Sequence, residues 1–123
     1  MKIIISINPE HVENIIRGTK KYEYRTRVAI KSIDSILVYC THPCKKVVAE
    51  VAINSVQKDT PERLWDSTKD LSGITKEFFD EYFKGRSVAY AYELGKVVTF
   101  EVPKELSEFS IGSAPQSYTY VNA

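Results

Sequence analysis

The stretch Gly18-Thr19-Lys20-Lys21-Tyr22-Glu23-Tyr24-Arg25-Thr26-Arg27 decides how the rest of the chain is read. It follows a short helical pattern and alternates like a strand. Tyr22, Tyr24 and Thr26 take one face. Lys21, Glu23, Arg25 and Arg27 take the other. The first set suits a core. The second is a row of charges on a short, stiff element, with an acid between two bases. Such a row forms same-face ion pairs or offers both signs to a ligand. Lys20 stands at the strand's start, where its long side chain can turn to either face.

Charge is uneven along the chain. The formal net charge is only +1, which excludes a generally basic nucleic-acid binder. Residues 1–58 nevertheless carry a net of +5 and residues 59–123 a net of −4. Between Arg17 and Arg27 lie five bases and one acid, a local footprint suited to phosphate or another anion. At 123 residues the chain has the length of one domain, expected over 1–123, and can bury a core without staples. No apolar run approaches ~18 residues, so no membrane helix is expected. The opening Met-Lys-Ile-Ile-Ile-Ser-Ile is too short for a secretory signal, and a cytoplasmic protein is expected. Free thiols are then expected at Cys40 and Cys44.

Outward from the charged stretch, Lys2–Ile7 reads as a β-branched central strand. Asn8 caps a helix with Pro9 at its first position, and Val12, Ile15 and Ile16 form its buried stripe. Gly18 ends that helix as a left-handed cap. His11 sits near the helix start and has no partner in the local sequence; it reads as structural. Asp34–Thr41 carries apolar residues on both faces and predicts a strand buried on both sides. Lys46–Val56 alternates and predicts its antiparallel partner. Thr60-Pro61 and Thr75 start two more helices. The second, Lys76 to Lys84, bears Phe78, Phe79, Tyr82 and Phe83, read as a core-facing lid. Arg86–Leu94, a turn at Glu93-Leu94-Gly95-Lys96 and Val97–Val102 predict a hairpin. Lys104–Ser113 reads as polar loop, and Gln116–Val121 as the closing strand.

Cys40-x-His42-x-Cys44 has ligand types suited to zinc. It offers three candidates where structural zinc takes four, and Pro43 breaks the register. No metal and no cofactor are expected.

Gly18-x-Lys20-x-x-Glu23-x-Arg25 resembles the signature of the ASCH domain, a family similar to the PUA RNA-binding domain. The preceding strand, Asn8-Pro9 and short helix, the later Gly73-Ile74-Thr75…Phe78-Phe79 and the closing Pro115-Gln116-Ser117-Tyr118 extend the resemblance over nearly the whole chain. It implies an α+β fold, a small mixed PUA-like β-barrel of about six strands with about three short helices. It implies RNA, a nucleotide or a nucleoside as partner, held around Lys20, Glu23, Arg25 and Arg27, with Asn8, Gln116 and Ser117 as further ligand contacts. A monomer or weak homodimer is expected.

The chemistry of these residue types fits binding. Arg offers a planar fork for phosphate or a base edge, Glu23 an acceptor for an exocyclic amino group, and tyrosines a stacking surface. An alternative is a hydrolase of a modified nucleoside or of RNA, with Lys20 and Glu23 as acid–base residues once burial or Arg25 lowers the Lys20 pKa. One ASCH branch resembles amidohydrolases of acetylated cytidine, with a Thr nucleophile three residues after the Lys. Glu23 stands there in this chain, which argues against that mechanism. ASCH members that look like ribonucleases need no such Thr. Two further alternatives are a transcription-related interaction module and a purely internal ion-pair network.

Overall fold

The computed structural model describes residues 1–121. Its order is β1 (Lys2–Ile7), α1 (Pro9–Arg17), β2 (Tyr22–Arg25), β3 (Ser35–Cys40), β4 (Lys46–Asp59), α2 (Pro61–Thr68), α3 (Lys76–Tyr82), β5 (Ala89–Lys104) and β6 (Tyr118–Val121), with short 3₁₀ turns at Lys69–Leu71 and Leu106–Phe109. The strands form one curled half-barrel sheet ordered β2-β5-β4-β3-β1-β6. β1 and β3 run parallel, and the other neighbours are antiparallel. The fold is α+β and PUA-like. Among the described residues no helix is long and apolar enough to cross a membrane.

β3 is buried along its whole length, as its two apolar faces require. Ile36, Val38 and Cys40 join Ile3, Ile5, Val12, Ile15 and Val51 in one core. Leu37 and Tyr39 join Ile4, Val47 and Val121 in another. A third core gathers Tyr24, Leu64, Phe79, Phe83, Ala89 and Ala91 where α2 and α3 cover the β2–β5 pair.

The helix ends follow local chemistry. The Thr60 hydroxyl accepts from Arg63 N, and the Thr75 hydroxyl accepts from Phe78 N. Gly18 closes α1 at φ 84°, a conformation that costs glycine little. Asn8 holds the N-cap position of α1 without a side-chain cap bond.

Four expectations need correction. There is no hairpin at Gly95: β5 runs unbroken through it. Gly95 lies at a bulge against β4, where an added Cβ would collide with Asn54 Oδ1. A glycine between two alternating runs marks a bulge as readily as a turn. Ile16 is 43 % exposed, because only Val12 and Ile15 of α1 face the core. Residues 104–113 are more than polar loop: Leu106, Phe109 and Ile111 cover the core around Ile4 and Leu37. The aromatic stripe of α3 is split. Phe79 and Phe83 are buried, while Phe78 and Tyr82 stay partly open.

Candidate functional site

β2 is an edge strand, paired on one side only, with β5. Its free edge is tied to β1 by a side chain: Arg25 Nη2 donates to the Ser6 carbonyl at 3.0 Å. Beside this seam lies a cavity of about 190 Å³. β1, α1, the Lys20–Arg25 stretch and the start of α3 supply its walls through Ser6, Asn8, His11, Lys20, Glu23, Tyr24, Arg25, Phe78 and Tyr82.

Lys20 is 2 % exposed. Its Nζ donates to the Ser72 carbonyl at 2.8 Å and lies 5.1 Å from the centre of the Tyr24 ring, within cation–π reach. An ammonium has three protons to donate; among the described residues Ser72 O is its one hydrogen-bond acceptor. Burial, and then the Arg25 charge, hold the Lys20 pKa below the usual lysine range, with Glu23 opposing. Gly73 makes this placement possible. It sits at φ 70°, and a Cβ there would meet the Lys20 Cβ at 2.5 Å.

Glu23 is also buried, at 7 % exposure. Arg25 donates to its Oε2 from both Nε (2.9 Å) and Nη2 (2.6 Å). Oε1 takes no hydrogen bond from the described residues. Arg25 is therefore spent on the protein. It fixes Glu23 and latches β2 to β1, which leaves little of its fork for a phosphate. Lys20 and the second Glu23 oxygen are the groups left for a ligand.

The aromatic wall surrounds them. The Phe78 and Tyr82 rings are nearly parallel, 8° apart in plane with centroids at 6.5 Å. The Tyr24 hydroxyl pairs with Thr68 Oγ1 at 2.7 Å, and burial pushes its pKa up to about 12, so Tyr24 is a neutral, fixed surface.

Of the residues expected from sequence, Asn8, Lys20, Glu23 and Arg25 come together in this cavity. The Asn8 side chain also accepts from Thr41 Oγ1 at 3.3 Å. Arg27 is exposed beyond the end of β2, Gln116 is exposed and Ser117 half-buried, and none of the three lines the cavity. Pro115 comes close, accepting from Ser6 Oγ at 2.8 Å. His42 is exposed and Cys40 is buried. Burial, and then Cys44, push the Cys40 thiol up to about 11. Ser6, His11, Ser72, Gly73, Phe78 and Tyr82 were not expected at the site. The sequence marks His11 as structural, yet it lines the cavity, and among the described residues its Nδ1 is buried without a hydrogen-bond partner.

Residues 3–115 match the family model described as "Domain of unknown function (DUF365)". The chain belongs to this family. Its fold is that of an ASCH domain. The crystal structure of ASCH from Zymomonas mobilis superposes with a TM-score of 0.89 at 24 % identity, covering 98 % of this chain and 87 % of that one. A point mutant of the same protein gives a TM-score of 0.89 at 23 % identity, covering 98 % and 90 %. In sequence, this DUF365 chain is 31 % identical over 121 residues to the large ribosomal subunit protein uL22 of Ureaplasma parvum serovar 3. That match takes in 97 % of this chain but spans only 39 % of the uL22 protein's length. The chain is also 26 % identical over 92 residues to an ASCH domain-containing ribonuclease of Zymomonas mobilis, covering 74 % of this chain and 62 % of that protein.

Proposed function

We propose that this chain binds RNA or a nucleotide and holds one base in the cavity around Lys20 and Glu23. The observation that carries this is Lys20: an ammonium at 2 % exposure with a single acceptor among the described residues, on the wall of an open cavity. A buried charge short of partners costs stability, and such groups persist where a ligand completes them. The neighbouring carboxylate oxygen adds an acceptor. A nucleobase edge offers donors and acceptors side by side, and Phe78, Tyr82 and Tyr24 offer the flat surfaces that unpaired bases stack on. At about 190 Å³ the cavity suits one ring system.

Turnover is the second reading. It is favoured by the lowered Lys20 pKa and by similarity to a protein named as a ribonuclease. A lysine whose pKa moves toward neutrality becomes useful in proton transfer. No threonine is among the cavity-lining residues, so a Thr nucleophile is not part of this reading.

The test is fluorescence anisotropy with short single-stranded RNAs over a series of salt concentrations, scoring the same mixtures for product by mass spectrometry. Wild type should bind, with affinity falling as salt rises. Lys20→Met should lose that binding. Product formed by wild type and lost in Lys20→Met establishes turnover. Equal binding by both proteins refutes the site, and absence of binding by wild type favours an interaction module.

A further inference from the structure

His11 lies in the first turn of α1, on the wall of the same cavity as Lys20 and Glu23. Phe78 of α3 packs edge-on against its ring, with centroids 5.7 Å apart and planes at 67°. The imidazole is thus held between two helices. Its Nδ1 is buried, and no group among the described residues hydrogen-bonds to it. Buried polar atoms are nearly always satisfied, and one that is not calls for a partner. Three residues with spare hydrogen-bonding capacity therefore line one small space: Lys20, Glu23 and His11.

We propose that His11 is a ligand-contacting and specificity-determining residue, whose imidazole makes the third hydrogen bond to a base held by Lys20 and Glu23. The proposal rests on the reading that the cavity takes a base, and it adds a preference. The Watson–Crick edges of cytosine, uracil and guanine each carry three hydrogen-bonding groups, whereas that of adenine carries two and a carbon. A three-group edge completes all three protein groups, and adenine leaves one unmet. Burial and the Lys20 charge lower the His11 pKa, with Glu23 and Glu10 opposing and Arg25 assisting, which favours a neutral ring. A neutral imidazole has one donor nitrogen and one acceptor nitrogen, so the tautomer can follow the ligand.

The test compares binding of C-only and A-only hexaribonucleotides to wild type, His11→Phe, His11→Asn and Lys20→Met. His11→Phe keeps a ring against Phe78 and removes both nitrogens. His11→Asn restores an amide near Nδ1. The C-hexamer should bind His11→Phe about 10- to 100-fold more weakly than wild type. The preference for C over A should shrink in His11→Phe and return in His11→Asn. If His11→Phe binds the C-hexamer like wild type while Lys20→Met does not, the His11 proposal falls and the cavity reading stands. If Lys20→Met also binds like wild type, the cavity reading itself falls. Should His11→Phe not fold, imidazole ¹⁵N resonances of wild type decide. A ligand-induced shift of either ring nitrogen supports the contact, and two unmoved nitrogens under saturating C-hexamer refute it.

Discussion

Gly73→Ala tests how Lys20 is held. Two costs are separable. Residue 73 sits at φ 70°, where a side chain costs about 1–2 kcal/mol. The new Cβ would also stand 2.5 Å from Lys20 Cβ, 2.7 Å from Cγ and 3.0 Å from Cδ. Relieving such overpacking costs about 1–3 kcal/mol. The expected loss is therefore about 2–5 kcal/mol, a large part of the roughly 5–15 kcal/mol that stabilises a domain. Urea unfolding followed by fluorescence measures it, since Trp65 is the only tryptophan and packs 4.9 Å from the Phe79 ring. A double-mutant cycle separates the terms. In a Lys20→Gly background the steric part vanishes and the backbone part remains, so the coupling should be about 1–3 kcal/mol. A Gly73→Ala protein within about 0.5 kcal/mol of wild type refutes both terms. Strict additivity in the cycle refutes the Lys20 contact alone.

Lys20→Met should leave stability unchanged or raise it by up to about 1–4 kcal/mol in the same urea assay, because a buried ammonium is exchanged for an apolar chain of similar length while Glu23 keeps Arg25. Arg25→Gln should cost about 3–5 kcal/mol, since it strands the buried Glu23 carboxylate and cuts the bond to Ser6 O; a loss under about 1 kcal/mol would show that the latch is dispensable. The pH dependence follows from His11, whose folded pKa lies below its ordinary 6.5. The unfolded chain then binds more protons in that window, so stability should fall as pH drops from about 7.5 to about 5.5. His11→Phe should flatten that part of the slope, and equal urea-midpoint slopes in the two proteins would contradict the assignment. The lowered Lys20 pKa has the same sign at the alkaline end, where stability should rise toward 10.5 and Lys20→Met should remove the rise.

Local chemistry made much of the fold legible. Thr60-Pro61 and Thr75 mark helix starts because a helix end leaves amides to be satisfied nearby in sequence, and Asn8-Pro9 does so through the fixed φ of Pro9 at the first helical position. The two apolar faces of Asp34–Thr41 announced a strand covered on both sides. Features that depend on distant partners were not legible. Gly95 means a bulge only because Asn54 lies opposite. Leu106, Phe109 and Ile111 look scattered until a 3₁₀ turn lays them on the sheet. The charged motif was readable as a candidate site, but the division of labour within it was not. Arg25 turns inward because Ser6 and Glu23 claim it, and Lys20 is buried because Ser72 and Gly73 receive it. His11 offered no signal at all, since its importance lies in an unmet nitrogen that the assembled cavity alone reveals.

The Lys20–Ser72 bond joins positions 52 residues apart, and Gly73 leaves the room it needs. Two stretches of gene thus specify one side chain. A lineage that trades Lys20 for glycine removes the collision at 73 but keeps the backbone cost of its positive φ, and one that gains a side chain at 73 cannot keep the lysine in place. The two positions should drift as a pair among relatives. Their joint presence would mark descendants that kept the pocket, and their joint loss those that inherited only the barrel.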